Sequence, residues 1–114
     1  MGDEPKVRPH GSGEVPSESA LRRKMTDEGL DPHRWSNGPG DVYGAHSHGF
    51  HKVIYVVRGA ITFGLPDAGG RLALCAGDRL DLPAGVRHDA AVGPQGVVCL
   101  EGHRPVRGRE KEKR

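Results

Sequence analysis

Three histidines, His46, His48 and His51, stand at the entrance to a run rich in β-branched residues, Val53, Ile54, Val56 and Val57. Side chains two apart on a strand leave the same face, so His46 and His48 present their imidazoles side by side toward one point. Two rings set this way are a metal-ligand pair. Gly49-Phe50 reads as a short bend, after which His51 or Lys52 begins the next strand near the same place. His88 lies in "PAGVRHDA", just beyond a Pro-Gly turn that can aim another strand at the cluster. Imidazoles gathered from neighbouring strands suit one divalent transition metal, Zn²⁺, Fe²⁺, Ni²⁺, Cu²⁺ or Mn²⁺. His10, His33 and His103 read as surface or hydrogen-bonded residues.

The elements that must carry these side chains are short strands. "VIYVV" and "AITFGL" flank Arg58-Gly59 as a compact hairpin, "PDAGG" reverses the chain before "RLALC", and "AGDR" and "LPAG" punctuate the next stretch. "VRHDAAV" and "GVVCLEGH" close the set. Strands at regular spacing with no helix between them argue for a sandwich or barrel over βαβ units. Ahead of them "SESALRRKMTDEGL" predicts one short helix over 17–29, with Ser17 or Ser19 as N-cap and Gly29 just past its end. Residues 1–16 mix proline, glycine and charge without apolar periodicity, and 104–114 alternate basic and acidic residues; both read as disordered tails. The folded domain is therefore expected over 17–103, its barrel over about 34–103.

Composition limits the function classes. The chain has 114 residues, 18 of them glycine and only 4% aromatic, which suits one domain with many turns. A formal net charge of +2 makes no cationic surface, so nucleic acid is not an expected partner. Cys75 and Cys99 have no C-x-x-C spacing and read as small core residues of a reducing compartment. The N-terminal stretch has no apolar signal region and no run approaches membrane-spanning length. A soluble cytoplasmic protein without membrane contact is expected.

With these residues placed, the sequence resembles the cupin family in both signature motifs. The first motif runs Gly, five residues, His-x-His, three or four residues, Glu, six residues, Gly, and Gly40, His46, His48 and Gly59 stand at its positions. The second runs Gly, five residues, Pro-x-Gly, two residues, His, three residues, Asn, and Gly77, Pro83, Gly85 and His88 fit it without a gap. The resemblance implies an all-β fold, a small antiparallel jelly-roll β-barrel, with a metal held by His46, His48 and His88 near one mouth. It also implies a homodimer paired through edge strands, which would cover otherwise exposed edges.

Two positions depart from the pattern. Lys52 stands where the first motif has its ligating Glu, and Val92 where the second has Asn. An ammonium cannot ligate, and its charge opposes a nearby cation. His51, one residue earlier, supplies the missing ligand if the bend shifts the strand register by one, or else lines the pocket as acid or base, or faces outward. An inward Lys52 would bind an anion or signal that the metal has been lost. Tyr55, Ile61 and Phe63 have no face assigned by alternation. Trp35 and Tyr43 are expected to seal the barrel rather than wall the pocket, Asp78 to cap a turn, and Asp81 is a distant candidate for a replacement carboxylate.

Function follows the site and not the barrel. The resemblance implies a mononuclear metal enzyme acting on a small oxygen-bearing or thiol metabolite. Fe²⁺ would give a dioxygenase, and Zn²⁺, Mn²⁺ or Ni²⁺ an isomerase or lyase. His46, His48, His51 and His88 are the candidate metal ligands, and His51, if free, is the candidate catalytic proton shuttle. The alternatives are a binding module that senses a small molecule or metal without turnover, and a barrel whose activity has decayed.

Overall fold

A computed structural model describes residues 4–106. Its elements in chain order are β1 (Lys6–Arg8), α1 (Glu18–Asp27), β2 (His33–Asn37), β3 (Val42–His46), β4 (His51–Gly64), β5 (Arg71–Cys75), β6 (Arg79–Leu82) and β7 (His88–Arg104). Every strand pairing is antiparallel. The spine is β4 against β7, paired from His51↔Arg104 to Gly64↔Asp89. On its other edge β4 carries β6 along Lys52–Tyr55 and β5 along Ala60–Gly64. On its other edge β7 carries β2 along Val97–Glu101 and β3 along His88–Ala91. The first half of β4 and the second half of β7 thus belong to one side of the molecule, and their remaining halves to the other. Ile54, Val56, Leu80, Leu82 and Cys99 from the first side share one buried cluster with Ile61, Phe63, Leu74, Ala90 and Val92 from the second. The sheet is folded onto itself around that cluster, the jelly-roll barrel that the motifs imply.

The fold lies where two long strands bend. The sequence predicts a hairpin at Arg58-Gly59 and a break between "VRHDAAV" and "GVVCLEGH", yet β4 and β7 each run through. Glycine there makes a bulge and not a reversal: the register shifts on either side of Arg58-Gly59, opposite an excursion of β7 over residues 93–96. Gly59 has φ +84°, and a Cβ on it would lie 2.1 Å from the Gly96 carbonyl oxygen. Only glycine permits that approach.

A second cluster sits outside the barrel. Val53, Tyr55 and Leu100, on the outward faces of β4 and β7, pack against Leu21, Met25 and Leu30 of α1 and its exit. Ser17 caps α1, its hydroxyl accepting from the Ala20 N–H at 3.1 Å. Gly29 ends it at φ +79°, with the Leu30 N–H donating to Met25 O and the Gly29 N–H to Thr26 O. This cover explains why Val53, Ile54, Tyr55 and Val56 are all buried: both faces of β4 are packed.

Three expectations are corrected here. The segment expected as an unstructured tail contains β1, which pairs with β6 through Lys6↔Asp81, Val7↔Leu80 and Arg8↔Arg79. Val7 packs on the core, Arg8 meets Asp81 at 3.0 Å, and the His10 N–H donates to Asp78 at 3.1 Å. Cys75 is exposed, whereas Cys99 is buried. Asp81 faces outward from the barrel, bound to Arg79 and Arg8, because it alternates with inward-packed Leu80 and Leu82. Asp78 caps its turn as expected, accepting from the Cys75 N–H at 2.9 Å. Residues 107–114 of the expected C-terminal tail lie outside the described residues. Among those described, no helix is long and apolar enough to cross a membrane.

Candidate metal centre

His46 is the last residue of β3 and His88 the first of β7, and they are cross-strand partners in register. Their rings lie 4.5 Å apart between centroids. His48 follows in extended chain two residues on and turns the same way, 4.8 Å from His46 and 5.5 Å from His88. One ligand atom from each of the three lies within 4.8 Å of the others, a spacing that a single ion could bridge.

The backbone fixes how each ring is presented. His46 Nδ1 lies 2.7 Å from Gly44 O, and His88 Nδ1 lies 2.9 Å from Val86 O. A carbonyl oxygen only accepts, so each Nδ1 carries the hydrogen and each Nε2 keeps a free lone pair. His48 Nε2 is buried with no hydrogen-bond partner among the described residues. Orphaned buried nitrogens are costly, and an imidazole lone pair set beside two others is chemically fit to take a metal as its partner. Burial, then the charge of Lys52 and the neighbouring His46 and His88, pushes His48 from 6.5 down to about 4. Burial, then His46 and Lys52, likewise lowers His88, against the bond to Val86 O that raises it. Both rings are therefore neutral at pH 7, the form that ligates.

The loop that carries His48 is tied to the turn that carries His88. The Gly85 N–H donates to His48 O at 2.8 Å, and the Ala84 N–H donates to His51 Nδ1 at 2.9 Å. His51 is thus outside the cluster and outside the cavity wall. Alternation along β4 gives the inward face to Lys52 and turns His51 toward the Pro83–Gly85 turn, so the register shift that would make it a ligand does not occur.

A cavity of about 230 Å³ opens beside the triad, walled by Trp35, Ile54, Ile61, Phe63 and Ala90, with Tyr43, Lys52 and Glu101 among its polar groups. Trp35 and Tyr43 therefore wall the pocket. Ile61 and Phe63 take the inward face, and Tyr55 the outward one against α1. Lys52 Nζ lies 3.3 Å from Glu101 Oε2, and both side chains are only 14% exposed. Glu101 also accepts from Trp35 Nε1 at 3.2 Å and meets His103 Nε2 at 2.5 Å. Although burial alone would raise it, the bond to His103 and the Lys52 charge hold the Glu101 carboxyl below its ordinary value, so it stays ionised. Nothing in the sequence singled out Glu101. Its place two residues before His103 on an alternating strand was the available signal.

The fold matches solved structures. An RmlC-like cupin from Shewanella frigidimarina aligns with a TM-score of 0.57 at 27% identity, over 71% of this chain and 70% of that one. The chain has the cupin fold. A DUF861-family protein from Thermotoga maritima shares the fold with a TM-score of 0.60 at 16% identity, over 89% of this chain and the whole of that one. A structure described as DMSP lyases RdDddP and RnDddQII aligns with a TM-score of 0.59 at 28% identity, over 68% of this chain and 39% of that one. No family model matches the sequence, and no curated protein matches it.

Proposed function

We propose that this cupin binds one divalent transition metal through His46, His48 and His88 and is a mononuclear metal enzyme acting on a small oxygen-bearing or thiol metabolite. The observation that carries the reading is the buried, partnerless Nε2 of His48, set against two histidines whose Nδ1 hydrogens are already bound to carbonyls. The donor set is all nitrogen, which suits Fe²⁺, Zn²⁺, Mn²⁺ or Ni²⁺. When bound, the metal supplies Lewis-acid polarisation of a ligand oxygen or sulfur, or a site for O₂ in the iron case. The chain's own residues do the rest. Ile54, Ile61, Phe63 and Trp35 give the space beside the triad an apolar lining, and Lys52 with Glu101 places paired charges at its wall. A lyase among the structural neighbours supports an enzymatic reading of such a barrel.

A second reading, a small-molecule-binding cupin without turnover, is favoured by Lys52 standing where the motif's carboxylate ligand would be. Elemental analysis after loading with each of the four metals tests the metal centre. The expected result is one equivalent per chain, lost in His48→Ala and His88→Ala. Failure of every metal to bind overturns the metal enzyme and leaves the binding module. Turnover of thiols or diketones with O₂ uptake by the iron form, or of hydroxy acids by the others, then separates enzyme from binding module.

A further inference from the structure

The Lys52–Glu101 pair has no part in holding a metal, yet it faces the same cavity as His46 and His88. A lysine ammonium has three N–H donors. Among the described residues Glu101 is its single ion-pair partner. Glu101 in turn divides its two oxygens among three groups: Trp35 Nε1 at one, His103 and Lys52 at the other. The carboxylate thus aims the ammonium without saturating it. The walls on either side, Ile54, Ile61, Phe63 and Ala90, are apolar. An ammonium with donors to spare, set between hydrocarbon walls in a small cavity, fits a ligand with one anionic end and an apolar body.

We propose that Lys52 is the anchor for the carboxylate of a small organic acid, with Glu101 and Trp35 as the groups that position it. The ligand class that this site takes is a short-chain carboxylic acid, whose apolar part lies along Ile54, Ile61 and Phe63. A tetrahedral oxyanion is disfavoured, since one ammonium offers no forked donor set and the apolar walls solvate none of its remaining oxygens. That such an acid also meets a metal rests on the proposed metal centre; that it meets Lys52 does not. The Lys52 ammonium shares the cavity wall with His46 and His88, where its charge opposes a cation held by the triad. Removing it therefore moves two affinities in opposite directions.

The test is an NMR titration of propionate, propionamide and inorganic phosphate into metal-free protein and into protein given Zn²⁺, for the wild type, Lys52→Met and Lys52→Arg. Propionate is expected to bind the metal-free wild type at least about tenfold more tightly than propionamide or phosphate, a charge-dependent difference of the size one partly buried ion pair supplies. Lys52→Met should lose about tenfold in propionate affinity while gaining severalfold in Zn²⁺ affinity, and Lys52→Arg should keep propionate within a few-fold. A merely structural lysine would lower both affinities or neither. Propionate binding that needs Zn²⁺ and ignores Lys52→Met overturns the proposal, as does equal binding of propionamide, or tighter binding of phosphate. Zn²⁺ binding is scored separately: its failure removes the metal centre, and the propionate comparison in metal-free protein still decides Lys52. If Lys52→Met does not fold, the wild-type comparison of propionate with propionamide and the Lys52→Arg titration carry the decision.

Discussion

Among the described residues His48 keeps a buried nitrogen without a partner, and that single atom sets stability against function. An unsatisfied buried polar group costs about 1–3 kcal/mol. His48→Leu removes the group at similar volume, so the metal-free protein is expected to gain about 1 kcal/mol while losing its response to added metal. Thermal melts with and without Zn²⁺ check both halves; a less stable metal-free variant would count against the orphaned nitrogen. The lowered His48 and His88 give a second prediction for the metal-free form. Each group's folded value lies below 6.5, so the unfolded chain binds more protons through that window and stability falls with falling pH. The loss should begin near pH 6.5 and run down to about 4, where His48 protonates in the folded state. Allowing for partial exposure, we expect about 1–2 kcal/mol across this range. Urea titrations at stepped pH read it, and His48→Leu should flatten the slope. At this scale the triad was legible because its spacing is local and its motifs are contiguous. Glu101 was not, because it reaches Lys52 and Trp35 across the barrel from a strand far along the chain.

At the scale of elements, the site depends on the clamp between the His48 loop and the Pro83–Gly85 turn. Its two bonds, Gly85 N–H to His48 O and Ala84 N–H to His51 Nδ1, hold β7's first residue opposite β3's last. His51→Ala removes one of them and leaves the Ala84 N–H without its acceptor. The expected result is a loss of about 1–2 kcal/mol in stability and a metal affinity lowered only a few-fold, since the three ligands remain. Occupancy abolished in His51→Ala would instead return it to the ligand set. The same scale shows where sequence reading met its limit. Turn residues at Gly59 and Gly96 look alike whether the chain reverses or bulges, because a positive φ serves both. Here the difference is made by the opposite strand, whose excursion at 93–96 receives the Gly59 bulge, and such a cross-strand fit has no local signature. The short α1 was legible, since its capping serine, apolar spacing and terminal glycine are neighbours in sequence. β6 was not, since "AGDR" and "LPAG" read as turns on either side of it, and the alternation of "RLDL" did not reveal that its charged face is also buried.

Taken whole, the molecule divides its labour between the two faces of one sheet. The inward face of β4, β6 and β7 holds the barrel core and the polar groups of the cavity, while the outward face holds α1 and a buried ion network that reaches Arg8 of β1. Arg79 sits at the centre of that network, meeting Asp81 at 2.9 Å, Glu28 at the end of α1 and the Tyr55 hydroxyl at 3.2 Å. Asp81, 4% exposed, also receives Arg8 of β1. One guanidinium thus fastens the helix and the sheet and orients the carboxylate that holds the first strand. Removing it alone leaves Asp81 buried with one exposed partner, so Arg79→Met is expected to cost about 3–5 kcal/mol. Replacing both, as Arg79→Met with Asp81→Leu, leaves no uncompensated buried charge, because the Glu28 side chain is 35% exposed and keeps Arg104 at 3.1 Å. Most of the loss should then return. Urea denaturation of the single and double variants measures this. Zn²⁺ affinity of each folded variant should match the wild type, because Leu80 and Leu82, not Arg79 and Asp81, face the barrel interior. A metal affinity that tracks the outer network instead would mean that the two faces are mechanically coupled, with α1 setting the geometry of the triad through β4.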